Sequence, residues 1–145
     1  MVQLALYKGK GKIGNALIRW WTRSPYSHCE LVVNGVCYSS SIMDGGVRPK
    51  SIDLNTGHWE LIDLPEILEA GVLAYFAATE GDEYGWIDLL LSQVFNTASD
   101  QRGAAFCSEW CAAAIGFPTP VIYSPRTLGE LARWLSTNPW QATSP

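Results

Sequence analysis

The stretch "SHCELVVNGVCYSSS" constrains the fold more than any other part of this chain. Two β-prone runs flank Asn34-Gly35. An Asn-Gly pair favours a two-residue hairpin turn, because both central residues of that turn need a positive φ. The spacing therefore predicts an antiparallel hairpin closing at residues 34 and 35. Side chains alternate between the faces of a strand, so His28 and Glu30 share one face and Cys29 takes the other.

Around this hairpin the remaining patterns divide into strands first and helices later. "VQLALY" alternates and predicts an opening strand, and "KGKGKIGN" is a turn leading into a short amphipathic helix, "ALIRWWTR". "MDGGVRPKSIDLNTG" is polar and turn-rich and reads as a surface excursion, after which "HWELIDL" resumes as a strand ending at Pro65. From Pro65, the residues Ile67, Leu68, Val72, Leu73 and Phe76 recur with helical spacing. "YGWIDLLLSQVF" is a second helical run, and "AFCSEWCAAAIGF" a third, apolar on one face and stopped by Gly116 and Pro118. "SPRTLGELARWL" begins with a Ser124 cap and Pro125 in its first turn. The expectation is one α+β domain over residues 1–145, an antiparallel sheet packed against helices.

Composition narrows the function classes. A net charge of −4 argues against a nucleic-acid partner, since phosphate binding needs a basic surface. In "MVQLALYKGKGKIG" the apolar run precedes the lysines, the reverse of a secretory signal, and no run reaches transmembrane length. The chain is therefore expected to stay in the cytoplasm as synthesised, or to travel in a virion or be released at lysis if phage-encoded, without stable membrane insertion. Cys29, Cys37, Cys107 and Cys111 show neither a CxxC pair nor a zinc spacing, so no metal and no cofactor is expected and the thiols are read as reduced.

Cys107 falls in the first turn of its helix. There the unpaired backbone N–H groups and the positive end of the helix dipole favour a thiolate and can receive a developing oxyanion. Cys111, one turn deeper, reads as core. His28, at the start of a half-buried strand after Pro25, supplies a base for that nucleophile. Glu30, two residues on, is placed to accept an imidazole N–H and set the tautomer. His58 has no second nucleophile or metal ligand at useful spacing. Gly9, Gly11 and Gly14 lack the Walker ending and the dinucleotide pattern, and read as a hinge or cleft rim. The pair Trp20-Trp21 between Arg19 and Arg23, and Asp88, are explained by packing and by a solvated helix face.

"SPYSHCELVV" with its glycine turn, then "YGWIDLL", "FCSEWCAAAIG" and "YSPRTLGELARWL", resembles the circularly permuted papain-like fold of the NlpC superfamily, in its YiiX-like branch. The likeness runs from about Gly9 to Leu135. It implies Cys107 as nucleophile, His28 as general base, and cleavage of an amide in a cell-wall (peptidoglycan) peptide by a bacterial or phage enzyme. Cys107-Ser108-Glu109 matches the branch's helix opening, and Tyr84-Gly85-Trp86 resembles its tyrosine-rich segment. Tyr26, Ser108 and Tyr84 are the candidate substrate contacts. The family's third polar residue falls on the strand after the histidine, where this chain reads "CYSSS". Glu30, Ser39 or Ser40, and a backbone carbonyl are the candidates for orienting His28. The rival functions are acyl transfer or thioester hydrolysis on lipid or N-acyl substrates, and a retired binding or assembly module on the same fold.

Overall fold

The hairpin forms as its turn chemistry requires. Asn34 (φ 50°) and Gly35 (φ 84°) both lie in the left-handed region, and β2 (His28–Val33) pairs with β3 (Val36–Ser41) from Val33 opposite Val36. In the computed structural model, which describes residues 1–9, 25–41, 44–80 and 105–138, this hairpin lies inside a five-stranded antiparallel sheet. β1 (Val2–Tyr7), β4 (Gly46–Lys50) and β5 (Trp59–Leu64) complete it, in the order β4-β3-β2-β1-β5.

Alternation gives the sheet two different faces. Val2, Leu4, Leu6, Cys29, Leu31, Val33, Ile62 and Leu64 form the main core with three helices. These are α1 (Leu68–Thr79), α2 (Ala105–Ile115) and α3 (Pro125–Thr137). The described residues are thus α+β, with the helices on one sheet face. On the opposite face Ala5, Val32 and Cys37 make a smaller cluster under Ile52, Leu54 and Trp59.

Local chemistry sets the helix ends. α2 stops at Gly116 (φ 89°), where Phe117 N–H bonds Ala112 O and Gly116 N–H bonds Ala113 O, both at 2.9 Å, the pairing of a Schellman cap. α3 starts at Ser124, whose hydroxyl accepts from Thr127 N–H in a reciprocal capping box, with Pro125 next. Gly129 lets α3 lie close on β1, since a Cβ there would stand 2.6 Å from Leu6 Cδ1.

Two expectations are corrected. Residues 46–50 are not a surface excursion but strand β4, paired with β3 from Cys37–Lys50 to Ser41–Gly46. β4 is an edge strand, so Pro49 withholds no hydrogen bond that a second neighbour needs. The helix expected from Pro65 starts at Leu68, because residues 65–67 form a turn closed by Leu68 N–H to Pro65 O at 3.1 Å. The helices expected over 16–23 and 84–95, with Trp20, Trp21, Asp88, Gly11 and Gly14, lie outside the described residues. Among the described residues no helix is long and apolar enough to cross a membrane.

Candidate active site

Cys107 is the third residue of α2 and only 4% exposed. At that position backbone N–H groups have no intrahelical acceptor. The early part of α2 is tied down on two sides. Ser108 Oγ donates to Tyr123 O at 2.6 Å, and the Trp110 indole donates to Thr79 Oγ1 at 3.1 Å.

β2 brings His28 and Cys29 to the thiol and places Glu30 behind the imidazole. The side chains of His28 and Cys107 share a hydrogen bond, and the Cys29 thiol and backbone also bond Cys107. His28 Nε2 lies 2.7 Å from Glu30 Oε1, which leaves Nδ1 as the ring nitrogen for the sulfur. The His28 side chain is 26% exposed and that of Glu30 is fully buried. Cys29 faces the core as alternation predicts, with its sulfur 3.8 Å from that of Cys111, well beyond a disulfide bond length.

A buried carboxylate needs a counter-charge, and Arg48 provides it. Arg48 Nη1 bonds Glu30 Oε2 at 2.7 Å, and Nη2 bonds Glu30 Oε1 at 2.8 Å. The other edge of the guanidinium meets Asp44, through Nε at 2.8 Å and Nη2 at 2.7 Å, and Lys50 Nζ reaches Asp44 Oδ1 at 2.8 Å. Ser39 stands opposite Arg48 in the ladder. It is fully buried and donates to the carbonyls of Cys29 and Ser40 at 2.9 and 3.3 Å.

These contacts shift the protonation equilibria in opposite directions. Burial pulls His28 down, but the Cys107 charge, with hydrogen bonds to Cys107 and Glu30, outweighs it and pushes the imidazole up to about 10. The Cys29 hydrogen bond holds Cys107 well below the ordinary thiol range against the opposing effect of burial, with His28 adding to it. Burial would raise Glu30, yet the bonds from His28 and Arg48 keep it lowered. The favoured arrangement is a thiolate beside an imidazolium beside an ionised carboxylate.

The structure therefore brings Cys107, His28 and Glu30 together, while the Tyr26 and Ser108 hydroxyls bond to other partners. The Tyr26 hydroxyl donates to Glu60 Oε2 at 2.6 Å and accepts from Arg133 Nη2 at 2.9 Å, while Arg133 also pairs with Glu60. Its proton is committed to a carboxylate on β5. Ser108 is fully buried and anchors the segment after α2. The Ser39 hydroxyl turns to backbone carbonyls rather than to His28, and Ser40 points to the other face. Tyr84 lies outside the described residues.

Arg48, Asp44 and the Cys29 thiol went unpredicted. The available signal for Arg48 was an arginine and a lysine alternating in "VRPK", close in sequence to the glutamate placed beside His28. No family model, curated protein or solved structure matches the chain.

Proposed function

We propose that this protein is a cysteine hydrolase cleaving an amide through Cys107 and His28, with Glu30 as the group that orients the imidazole, on a single permuted papain-like domain of the NlpC type. One observation carries the reading: a helix-start thiol and a strand-end imidazole are hydrogen-bonded, and the far ring nitrogen is held by a buried carboxylate at 2.7 Å. The Cys107 thiolate attacks the substrate carbonyl carbon. Charge moves to the carbonyl oxygen, for which the first-turn N–H groups of α2 are the candidate donors. His28 then gives its proton to the departing amine as the C–N bond breaks, leaving an acyl-enzyme thioester. It next takes a proton from water, whose oxygen attacks that thioester and returns the thiolate. No cofactor or metal enters this chemistry. A peptidoglycan peptide is the substrate class that the family likeness implies.

Wild type and Cys107→Ala are incubated with muropeptides and, separately, with short acyl esters. Product from muropeptides with wild type alone is the expected result. Turnover of esters alone would move the reading to acyl transfer or thioester hydrolysis. No product from either, together with a Cys107 that alkylates at the pH of a free thiol, would replace the enzyme by a binding module.

A further inference from the structure

The geometry points to Arg48 as a positioning residue that acts through Glu30 to keep the proton of His28 on Nε2, leaving Nδ1 to take the proton of Cys107. The inference rests on the Cys107–His28 reading above and adds a residue outside that pair.

The argument starts from charge. With Arg48 in place, Arg48, Glu30, His28 and Cys107 sum to zero whether the mobile proton sits on sulfur or on imidazole. Without Arg48 the same set carries one negative charge around a fully buried carboxylate, and burial favours protonating it. A protonated Glu30 becomes a hydrogen-bond donor to Nε2. The neutral imidazole then carries its proton on Nδ1, presenting a donor where the thiol needs an acceptor. Arg48 prevents this by bonding both carboxylate oxygens while leaving Oε1 within 2.7 Å of Nε2. A bidentate clamp also fixes the carboxylate plane, which a point charge would not.

The surroundings fit this role. Arg48 and Glu30 lie on β4 and β2, with β3 between them. The intervening residue is Ser39, whose small side chain bonds back to carbonyls and leaves the guanidinium a path across the strand. The other titratable groups facing the clamp, among the described residues, are few. Asp44 backs Arg48 from the far side and is itself held by Lys50. Burial, with the charge of Glu30 adding to it, pushes the Cys37 thiol on β3 up to about 11, so it stays neutral. Asp44 and Lys50 complete an alternating row from solvent to sulfur: Lys50, Asp44, Arg48, Glu30, His28, Cys107.

The test follows the alkylation rate of Cys107 by iodoacetamide from pH 4 to 10, with peptide mapping, in wild type, Arg48→Gln, Glu30→Gln and the double variant. Wild type is expected to react with a midpoint well below that of a free thiol. Arg48→Gln should raise the midpoint by about one unit or more and slow the reaction well below the midpoint by about threefold or more, the loss of thiolate being partly offset by its greater basicity. Adding Arg48→Gln to Glu30→Gln should change little, because Arg48 acts through Glu30. A folded Arg48→Gln protein with the wild-type midpoint would overturn the role of Arg48 and leave the hydrolase reading standing. A wild type that alkylates like a free thiol would overturn the hydrolase reading instead. A second measurement needs no change at Arg48: ¹⁵N shifts of the His28 ring in Cys107→Ser, above its titration. They should report the Nε2–H tautomer, and an Nδ1–H tautomer would refute the proposal.

Discussion

Cys29 gives the most quantitative handle on the site, because its thiol meets Cys107 from inside the core, where no substrate group competes. Replacing it by alanine removes one hydrogen-bond donor to the thiolate and leaves the Cys29 backbone bond to Cys107 in place. Hydrogen bonds to charged groups contribute about 1.5–3 kcal/mol, and S–H is a weak donor, so the low end applies. At 1.36 kcal/mol per unit, the Cys107 titration should rise by about one unit in Cys29→Ala. The rate effect is smaller. Nucleophilicity grows with thiol basicity with a slope of about 0.4–0.5, so the plateau rate above the midpoint should increase about threefold and the rate well below it should fall about threefold. The assay is thiol–disulfide exchange with dipyridyl disulfide across pH, with Cys107 identified as the modified residue. Cys29→Ser, which keeps a donor, should titrate near wild type. Removing a fully buried sulfur packed 3.8 Å from Cys111 also costs about 1–2 kcal/mol of stability, measurable by urea unfolding. A Cys29→Ala protein that loses this stability while keeping its exchange midpoint within about 0.3 unit of wild type would refute the donor role.

Three further perturbations test other parts of the argument. Gly35→Ala meets no atom within 4 Å but must hold φ near 84°, so it should destabilise by about 1–2 kcal/mol from backbone strain alone, read as a lower urea midpoint. The Ser27 hydroxyl is buried without a hydrogen-bond partner among the described residues, so Ser27→Ala should be neutral or stabilising by up to about 1 kcal/mol in thermal unfolding; a clear loss of stability would mean the hydroxyl is bonded. Asp44 is lowered to about 2 from 3.8, by the Lys50 hydrogen bond first and then by Arg48 against slight burial. A depressed carboxyl contributes stability fully above its unfolded value and loses it as pH falls toward the folded one. Asp44→Asn should therefore cost about 1–2 kcal/mol at pH 7, after allowance for solvent at a partly exposed pair, and almost nothing near pH 2.

What could be read from the sequence was what local chemistry decides. The Asn34-Gly35 turn, the Gly116 stop and the Ser124 cap each act within a few residues, and all three appear where their residues stand. The i, i+2 relation of His28 and Glu30 is also local, since it follows from the strand period alone. Arg48 meets Glu30 only because β4 pairs with β3 in one particular register, and Pro49 and the neighbouring glycines hide that strand from pattern reading. The partners of Tyr26 come from β5 and α3, residues 60 and 133. No periodicity near Tyr26 announces them. The thiol contact of Cys29 combines both kinds of information. Its facing was legible, but the helix it faces was not.

The two faces of β2 explain how a polar site coexists with an apolar core. Toward the helices the strand contributes Cys29, Leu31 and Val33, so the side chain it offers to Cys107 from that side is a thiol, which packs as a small hydrophobe. Toward the opposite face it contributes Glu30, where the ion pairs with Arg48 and Asp44 lead outward to partly exposed Lys50. A buried carboxylate–guanidinium pair is a weak source of stability, and well-packed apolar residues often do as well or better. Folding alone therefore gives little reason for a glutamate at position 30 rather than a valine. A reason appears at His28, the one residue at the strand's end that reaches both sides: its Nε2 needs an acceptor that stays ionised in the interior, and its Nδ1 must stay free for a sulfur on the other face. Glu30 clamped by Arg48 satisfies the first condition, and the apolar lining around Cys107 satisfies the second.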